Sequence, residues 1–243
     1  MTEDRRVLTR PGPVHDESHS YASHEDQVID FYFPPDDSNR TALPVVFLHG
    51  GYWRPEYDRA HARSAAGALA QAGWVTALVE YRREPGEPDQ TVSDVSHAIE
   101  AVARVLEVPK VIVVGHSAGG HLALVAAHRV PQILAAVMAL APVSNIALAE
   151  ELDLDEGAVR AFLGAPSHTR TDLDPNVLGR PTLPVRILHG ANDSIVPVGM
   201  STSFGQRWNI DVHEIPGIGH YELIDPQGTA WGDVLRSLEE VST

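Results

Sequence analysis

The stretch that most restricts how this chain can fold is the apolar run Val111-Ile112-Val113-Val114, followed at once by Gly115-His116-Ser117-Ala118-Gly119-Gly120 and a small-residue helical segment. A strand, a serine between glycines, and a helix in direct succession describe a sharp strand-to-helix turn. Such a turn forces the serine toward a strained backbone conformation and brings strand and helix close together. Side chains two positions either side of the serine would collide, so Gly115 and Gly119 are the positions that the geometry requires.

The rest of the chain repeats the same alternation. Short apolar runs at 45–48, 75–79, 111–114, 136–141, 185–188 and 211–215 read as strands, with helical patterns between them. This is the expectation for a mostly parallel sheet covered by helices on both faces. Residues 93–107 carry apolar side chains at helical spacing, with Thr91 or Ser93 placed to cap the start. Residues 59–72 form an alanine-rich helix stopped by Gly73. Trp231, Val234, Leu235, Leu238 and Val241 share one face of a final helix, and 27–33 reads as a further strand paired with a segment near Tyr21. Residues 144–183 break the alternation with a helix at 154–163 and a polar loop. Excursions at such a place serve as short caps or substrate walls. No linker divides the chain, so residues 1–243 read as a single domain.

Composition narrows the partners. The chain has 18 basic and 33 acidic residues, a net charge of −15, which argues against nucleic acid or an anionic membrane as partner. It has no cysteine, so disulfides, thiolate metal sites and a cysteine nucleophile are excluded together. The charged start Met1-Thr2-Glu3-Asp4-Arg5-Arg6 leads into no apolar segment, and no run reaches the length of a membrane span. The expectation is a cytoplasmic protein, monomer or homodimer, acting on a small molecule. Thirteen histidines invite a metal reading, yet the group His15, Asp16, Glu17, His19, His24, Glu25 and Asp26 lacks ligand spacing and reads as a solvated polar segment. No phosphate-binding glycine loop or dinucleotide fingerprint is present, and no cofactor is expected.

A serine hydroxyl needs a base to take its proton, and the base needs an orienter. Both occur in the chain order that this architecture demands, serine then acid then histidine. Asp193 follows the run Val185-Arg186-Ile187-Leu188, and His220 follows the last strand in the compact loop Pro216-Gly217-Ile218-Gly219-His220. Asp211 and Asp225 lie within the last strand or beyond His220, which leaves Asp193 as the acid. Ends of strands form the edge where such sheets bind ligands. A third element, His49-Gly50-Gly51-Tyr52-Trp53, follows Val45-Val46-Phe47-Leu48 and matches a loop that supplies backbone N–H donors to an oxyanion. The donors assigned are the N–H of Gly51 or Tyr52 together with that of Ala118. Tyr52 and Trp53 are placed to stack on a substrate ring. His116, His121, His49 and His189 read as packing or hydrogen-bonding groups, and Arg54, Arg82 and Arg83 as members of salt bridges.

From about Tyr21 to the last helix the chain resembles α/β-hydrolase-fold enzymes. Within them, His49-Gly50-Gly51-Tyr52-Trp53 together with Gly115-His116-Ser117-Ala118-Gly119-Gly120-His121-Leu122 is similar to the kynurenine formamidases (arylformamidases) and their esterase relatives. Gly120 stands where those formamidases often carry alanine, and Asp174-Pro175 where relatives often show Ser-Pro. The resemblance implies hydrolysis of an aryl formamide such as N-formylkynurenine to formate and an arylamine. The alternatives are a carboxylesterase for small acyl esters and a non-catalytic ligand-binding protein of the same fold.

Overall fold

In the computed structural model, which describes residues 3–35 and 43–242, eight strands form one sheet in the order β1-β2-β4-β3-β5-β6-β7-β8. They are β1 (Glu17–Ser20), β2 (Val28–Tyr32), β3 (Val45–Leu48), β4 (Thr76–Val79), β5 (Val111–His116), β6 (Leu134–Leu140), β7 (Val185–Gly190) and β8 (Asp211–Ile215). The pairs β1/β2 and β2/β4 are antiparallel, and every other pair is parallel.

The central strands β3 and β5 are buried along their whole length, and their apolar runs 45–48 and 111–114 suit covering on both faces. Alternate side chains serve opposite layers. Val46, Leu48, Val111 and Val113 face one core with the helices α3 (Pro88–Val105), α4 (Ala118–Arg129) and α8 (Val198–Trp208). Val45, Phe47, Ile112 and Val114 face the other with α2 (Arg63–Gln71) and α9 (Trp231–Val241). The short helix α1 (Arg6–Thr9) joins this second layer through buried Val7. At the rims, β1 and β8 carry polar, partly exposed residues, which blunts edge-to-edge pairing.

The predicted elements lie where the periodicity placed them, with two corrections of detail. Helix α3 begins at Pro88, more than a turn ahead of Ser93, because proline presets the φ of a first helical residue and has no N–H to leave unpaired. Thr91 is therefore inside the helix and donates to the Arg82 carbonyl at 2.7 Å instead of capping. The expected helix at 154–163 is confined to α6 (Ala158–Leu163), which ends on left-handed Gly164. The excursion also holds α5 (Ile146–Glu151) and α7 (Pro175–Leu178). Among the described residues no helix is long and apolar enough to cross a membrane.

Candidate active site

Ser117 is the residue between β5 and α4, and its backbone sits at φ 56°, ψ −119°. A non-glycine residue there carries on the order of 1–3 kcal/mol of strain, which the surroundings must offset. They do so by close packing. A Cβ on Gly115 would overlap the Gly119 carbonyl, and one on Gly119 would overlap the carbonyl oxygens of Leu48 and His49. The two glycines thus let α4 settle against the ends of β3 and β5. Ser117 N–H donates to the Leu140 carbonyl at 2.8 Å, fixing the turn to β6.

The structure brings His220 and Asp193 together. His220 Nδ1 lies 2.6 Å from Asp193 Oδ2, and both side chains are buried. The other carboxylate oxygen, Oδ1, accepts the N–H groups of Ile195 and Val196, each at 2.8 Å. His189 approaches Oδ2 at 3.2 Å. Burial alone would raise the Asp193 carboxyl, but the bonds from His189 and His220 outweigh it and hold the group well below the usual carboxylate range. An ionised Asp193 fixes the proton of His220 on Nδ1, so Nε2 is the unprotonated ring nitrogen. The discarded acids have other partners: Asp225 pairs with Arg10 and Asp211 with Arg186.

The glycine loop abuts the serine. A Cβ on Gly50 would stand 3.0 Å from Ser117 Cβ, so the two turns pack tightly against each other at this glycine. Gly51, Tyr52 and Trp53 all have positive φ, a sharp reversal that carries the loop over the turn. Ala118 opens α4, where a first-turn N–H has no acceptor within the helix. The foot of the loop is clamped by His49, whose Nε2 lies 2.9 Å from Glu80 Oε1 and whose ring stacks on Tyr81 at 4.5 Å. Burial pushes the Glu80 carboxyl up, yet His49, Arg83 and the Arg59 N–H together hold it well below its ordinary value.

Two narrow cavities meet at Ser117, with Tyr52 on the wall of both. The first, about 10 Å³, has a wall that is apolar apart from Ser117 and Tyr52; it includes Trp53, Ala118, Val143, Leu154, Val159 and Ile195. Ala149, Leu154, Ala158 and Val159 come from the 144–183 excursion. The second, about 20 Å³, is aromatic and imidazole-rich: Tyr52, Tyr57, His61, His116, His220 and Tyr221 line it with Leu8. Each admits about one water-sized sphere.

Trp53 is a packing residue on the border of the apolar cavity. It is 5% exposed and stacks on Phe162 at 4.8 Å, with His121 edge-on at 5.2 Å. Arg54 bonds Asp155 and the backbone oxygens of Asp155 and Glu156, Arg82 pairs with Asp94, and Arg83 with Glu80. His116 Nε2 donates to the His220 carbonyl at 3.1 Å. Among the described residues no group of three or more metal-ligating side chains exists. Sequence reasoning missed Leu8, Tyr57, His61 and Tyr221. Of these only Tyr221, adjacent to His220, carried any signal.

With this geometry in view, comparison with known proteins becomes informative. A family model described as BD-FAE matches residues 29–208, which is most of the chain. The chain belongs to the BD-FAE family. Like other relatives of this BD-FAE chain, the kynurenine formamidase of Drosophila melanogaster is similar over part of its length: 32% identity over 100 residues, 40% of this chain and 33% of the relative. Esterase LipC of Mycobacterium tuberculosis (strain ATCC 25618 / H37Rv) is 26% identical, covering 87% of this chain and 61% of LipC. The BD-FAE chain thus spans between a third and three fifths of these two relatives. Among solved structures, esterase B from Lactobacillus rhamnosis, described with a tributyrin phosphonate, superposes with a TM-score of 0.79 at 18% identity, covering 95% of this chain and 88% of that one. The architecture is the α/β-hydrolase fold.

Proposed function

We propose that this chain is a serine hydrolase, a carboxylesterase that cleaves short aliphatic acyl groups from aromatic alcohols. The observation that carries the reading is the asymmetry of the two cavities about Ser117. His220 lines only the aromatic one. A histidine that takes the serine proton must later give it to the leaving group, so the leaving group belongs on the His220 side. That side carries Tyr52, Tyr57 and Tyr221, aromatic rings that flank an aryl leaving group once the cavity widens beyond the one water-sized sphere it admits. The acyl group then falls to the apolar cavity, whose volume of about 10 Å³ favours the smallest acyl groups.

In the proposed cycle Ser117 Oγ attacks the ester carbonyl carbon while His220 Nε2 takes its proton. Backbone N–H groups of Ala118 and of Gly51 or Tyr52 hold the resulting oxyanion, each worth about 2.7–4 kcal/mol in the transition state. Collapse breaks the bond to the alcohol oxygen, which leaves with the proton from His220. Water, deprotonated by His220, then attacks the acyl-serine; the bond between the acyl carbon and Ser117 Oγ breaks, His220 returns the proton to the serine, and the carboxylic acid leaves. Asp193 holds the imidazole and stabilises its charged form throughout.

A second reading, aryl formamide hydrolysis, rests on the His49–Trp53 and Gly115–Leu122 motifs and the similarity to kynurenine formamidase. The test is a parallel assay of the purified chain on phenyl formate, acetate, propionate and butyrate and on N-formylkynurenine, with Ser117→Ala as control. Ester turnover peaking at acetate or propionate and abolished in the control is expected. Deformylation faster than every ester would transfer the reading to the formamide, and turnover surviving Ser117→Ala would refute the mechanism.

A further inference from the structure

The loops carrying Asp193 and His220 are bridged by a carboxylate far from both in sequence. Glu3 Oε1 accepts the Ser194 N–H at 2.8 Å and the Ser194 hydroxyl at 2.9 Å. Its other oxygen, Oε2, accepts the His220 N–H at 2.7 Å. His220 is therefore held at both backbone ends, by Glu3 at the N–H and by His116 Nε2 at the carbonyl. The segment bearing Glu3 is itself anchored. Val7 is buried in the core, Leu8 lines the aromatic cavity, Arg5 lies over the Tyr221 ring at 5.6 Å, and Arg10 is paired with Asp225.

From this we propose that Glu3 is a positioning residue for the catalytic histidine. Its two oxygens set the distance between the residue next to Asp193 and the backbone of His220, and so the alignment of the imidazole toward Ser117. The segment 3–10 thus walls the leaving-group cavity through Leu8 and is a strut of the triad through Glu3. The role rests on the hydrolase reading above, but the bridge itself is testable without it. Only a carboxylate fits. Two separate donor sets face two acceptor oxygens, whereas an amide has one oxygen and would turn an N–H₂ toward one of those donors. A misplacement of about 1 Å at a reacting group typically costs on the order of 10²-fold in rate.

The experiment compares the full chain with Glu3→Gln and Glu3→Ala by two readouts. Amide hydrogen exchange at Ser194 and His220 reports the bridge whether or not the protein turns over substrate. Steady-state hydrolysis of phenyl acetate reports its consequence. The expected result is exchange at least tenfold faster at those two amides, with core strands β3 and β5 unchanged. Alongside it, kcat should fall ten- to a hundredfold while KM stays within about twofold. A purely structural anchor would instead speed exchange throughout α1 and the core and leave kcat of the folded fraction intact. Unchanged exchange at Ser194 and His220, or faster exchange with wild-type kcat, overturns the proposal. If the wild-type chain hydrolyses nothing, the hydrolase reading fails and the positioning role falls with it. The exchange arm then still decides whether the bridge exists.

Discussion

His121, one turn beyond Ser117 in α4, makes stability depend on pH in a window that can be stated in advance. Its ring is fully buried, with Nε2 donating to the Leu173 carbonyl at 2.8 Å and Nδ1 lacking a partner. Burial pushes its pKa from 6.5 down to about 4, and the Leu173 bond recovers only part of that. The folded value lies below the unfolded one. Between pH 6.5 and 4 the unfolded chain therefore takes up a proton that the folded chain refuses. The stabilisation is complete above pH 6.5, drains as pH falls, and is exhausted below about pH 4. A shift of this size corresponds to about 3 kcal/mol, a large share of an ordinary folding free energy. Buried His116 acts in the same direction for the same first cause. Asp174, whose carboxyl is raised by burial, acts oppositely at the acid end. Asp193 and Glu80 are depressed carboxylates, so their contributions are lost only below the ordinary carboxylate range, beneath the histidine window. The assay is urea unfolding followed by circular dichroism from pH 7 to pH 4.5, on the wild type and on His121→Gln. Glutamine can still donate to Leu173 but does not titrate. The variant should lose about 2–3 kcal/mol less than the wild type across that range. Parallel curves for the two proteins would refute the assignment of His121 as a buried neutral group.

Three further outcomes follow from the site. Asp193→Asn keeps an oxygen for the Ile195 and Val196 N–H groups but turns an N–H₂ toward His220; kcat on phenyl acetate should fall by roughly 10⁴. Ile195→Ala opens the apolar cavity and should raise the butyrate-to-acetate ratio of kcat/KM by roughly tenfold, each added methylene being worth about 1–3 kcal/mol. Gly119→Ala drives a methyl group into the Leu48 and His49 carbonyls, which cannot rotate away. Denaturant unfolding should show about 1–3 kcal/mol of lost stability, with reduced labelling of Ser117 by a fluorophosphonate.

Much of this site was legible in the sequence because its defining contacts are local. The Ser117 turn is written in two glycines two residues away, and their neighbours in space are the turn itself and the end of the adjoining strand. Asp193 and His220 were legible because each follows its own strand, and a parallel sheet gathers strand ends at one edge. Glu3 was not, because its partners lie about two hundred residues away and nothing in the surrounding segment marks a carboxylate as a bridge. Trp53 is only half legible. Its position beside the glycine loop suggests a substrate platform, and its ring both lines the apolar cavity and packs against Phe162 and His121. The start of α3 was misplaced because periodicity reports where apolar residues lie, whereas Pro88 fixes where the helix begins.

The excursion at 144–183 is joined to the glycine loop proposed to hold the oxyanion twice, by Arg54 bonding Asp155 and Glu156 and by Trp53 stacking on Phe162. It therefore cannot swing outward independently of Tyr52. An acyl group large enough to push the excursion aside would drag the backbone donors off the oxyanion as it did so. Discrimination against bulky acyl chains would then be paid in turnover more than in binding: such esters would still occupy the site, and act as slow substrates that compete with the good ones.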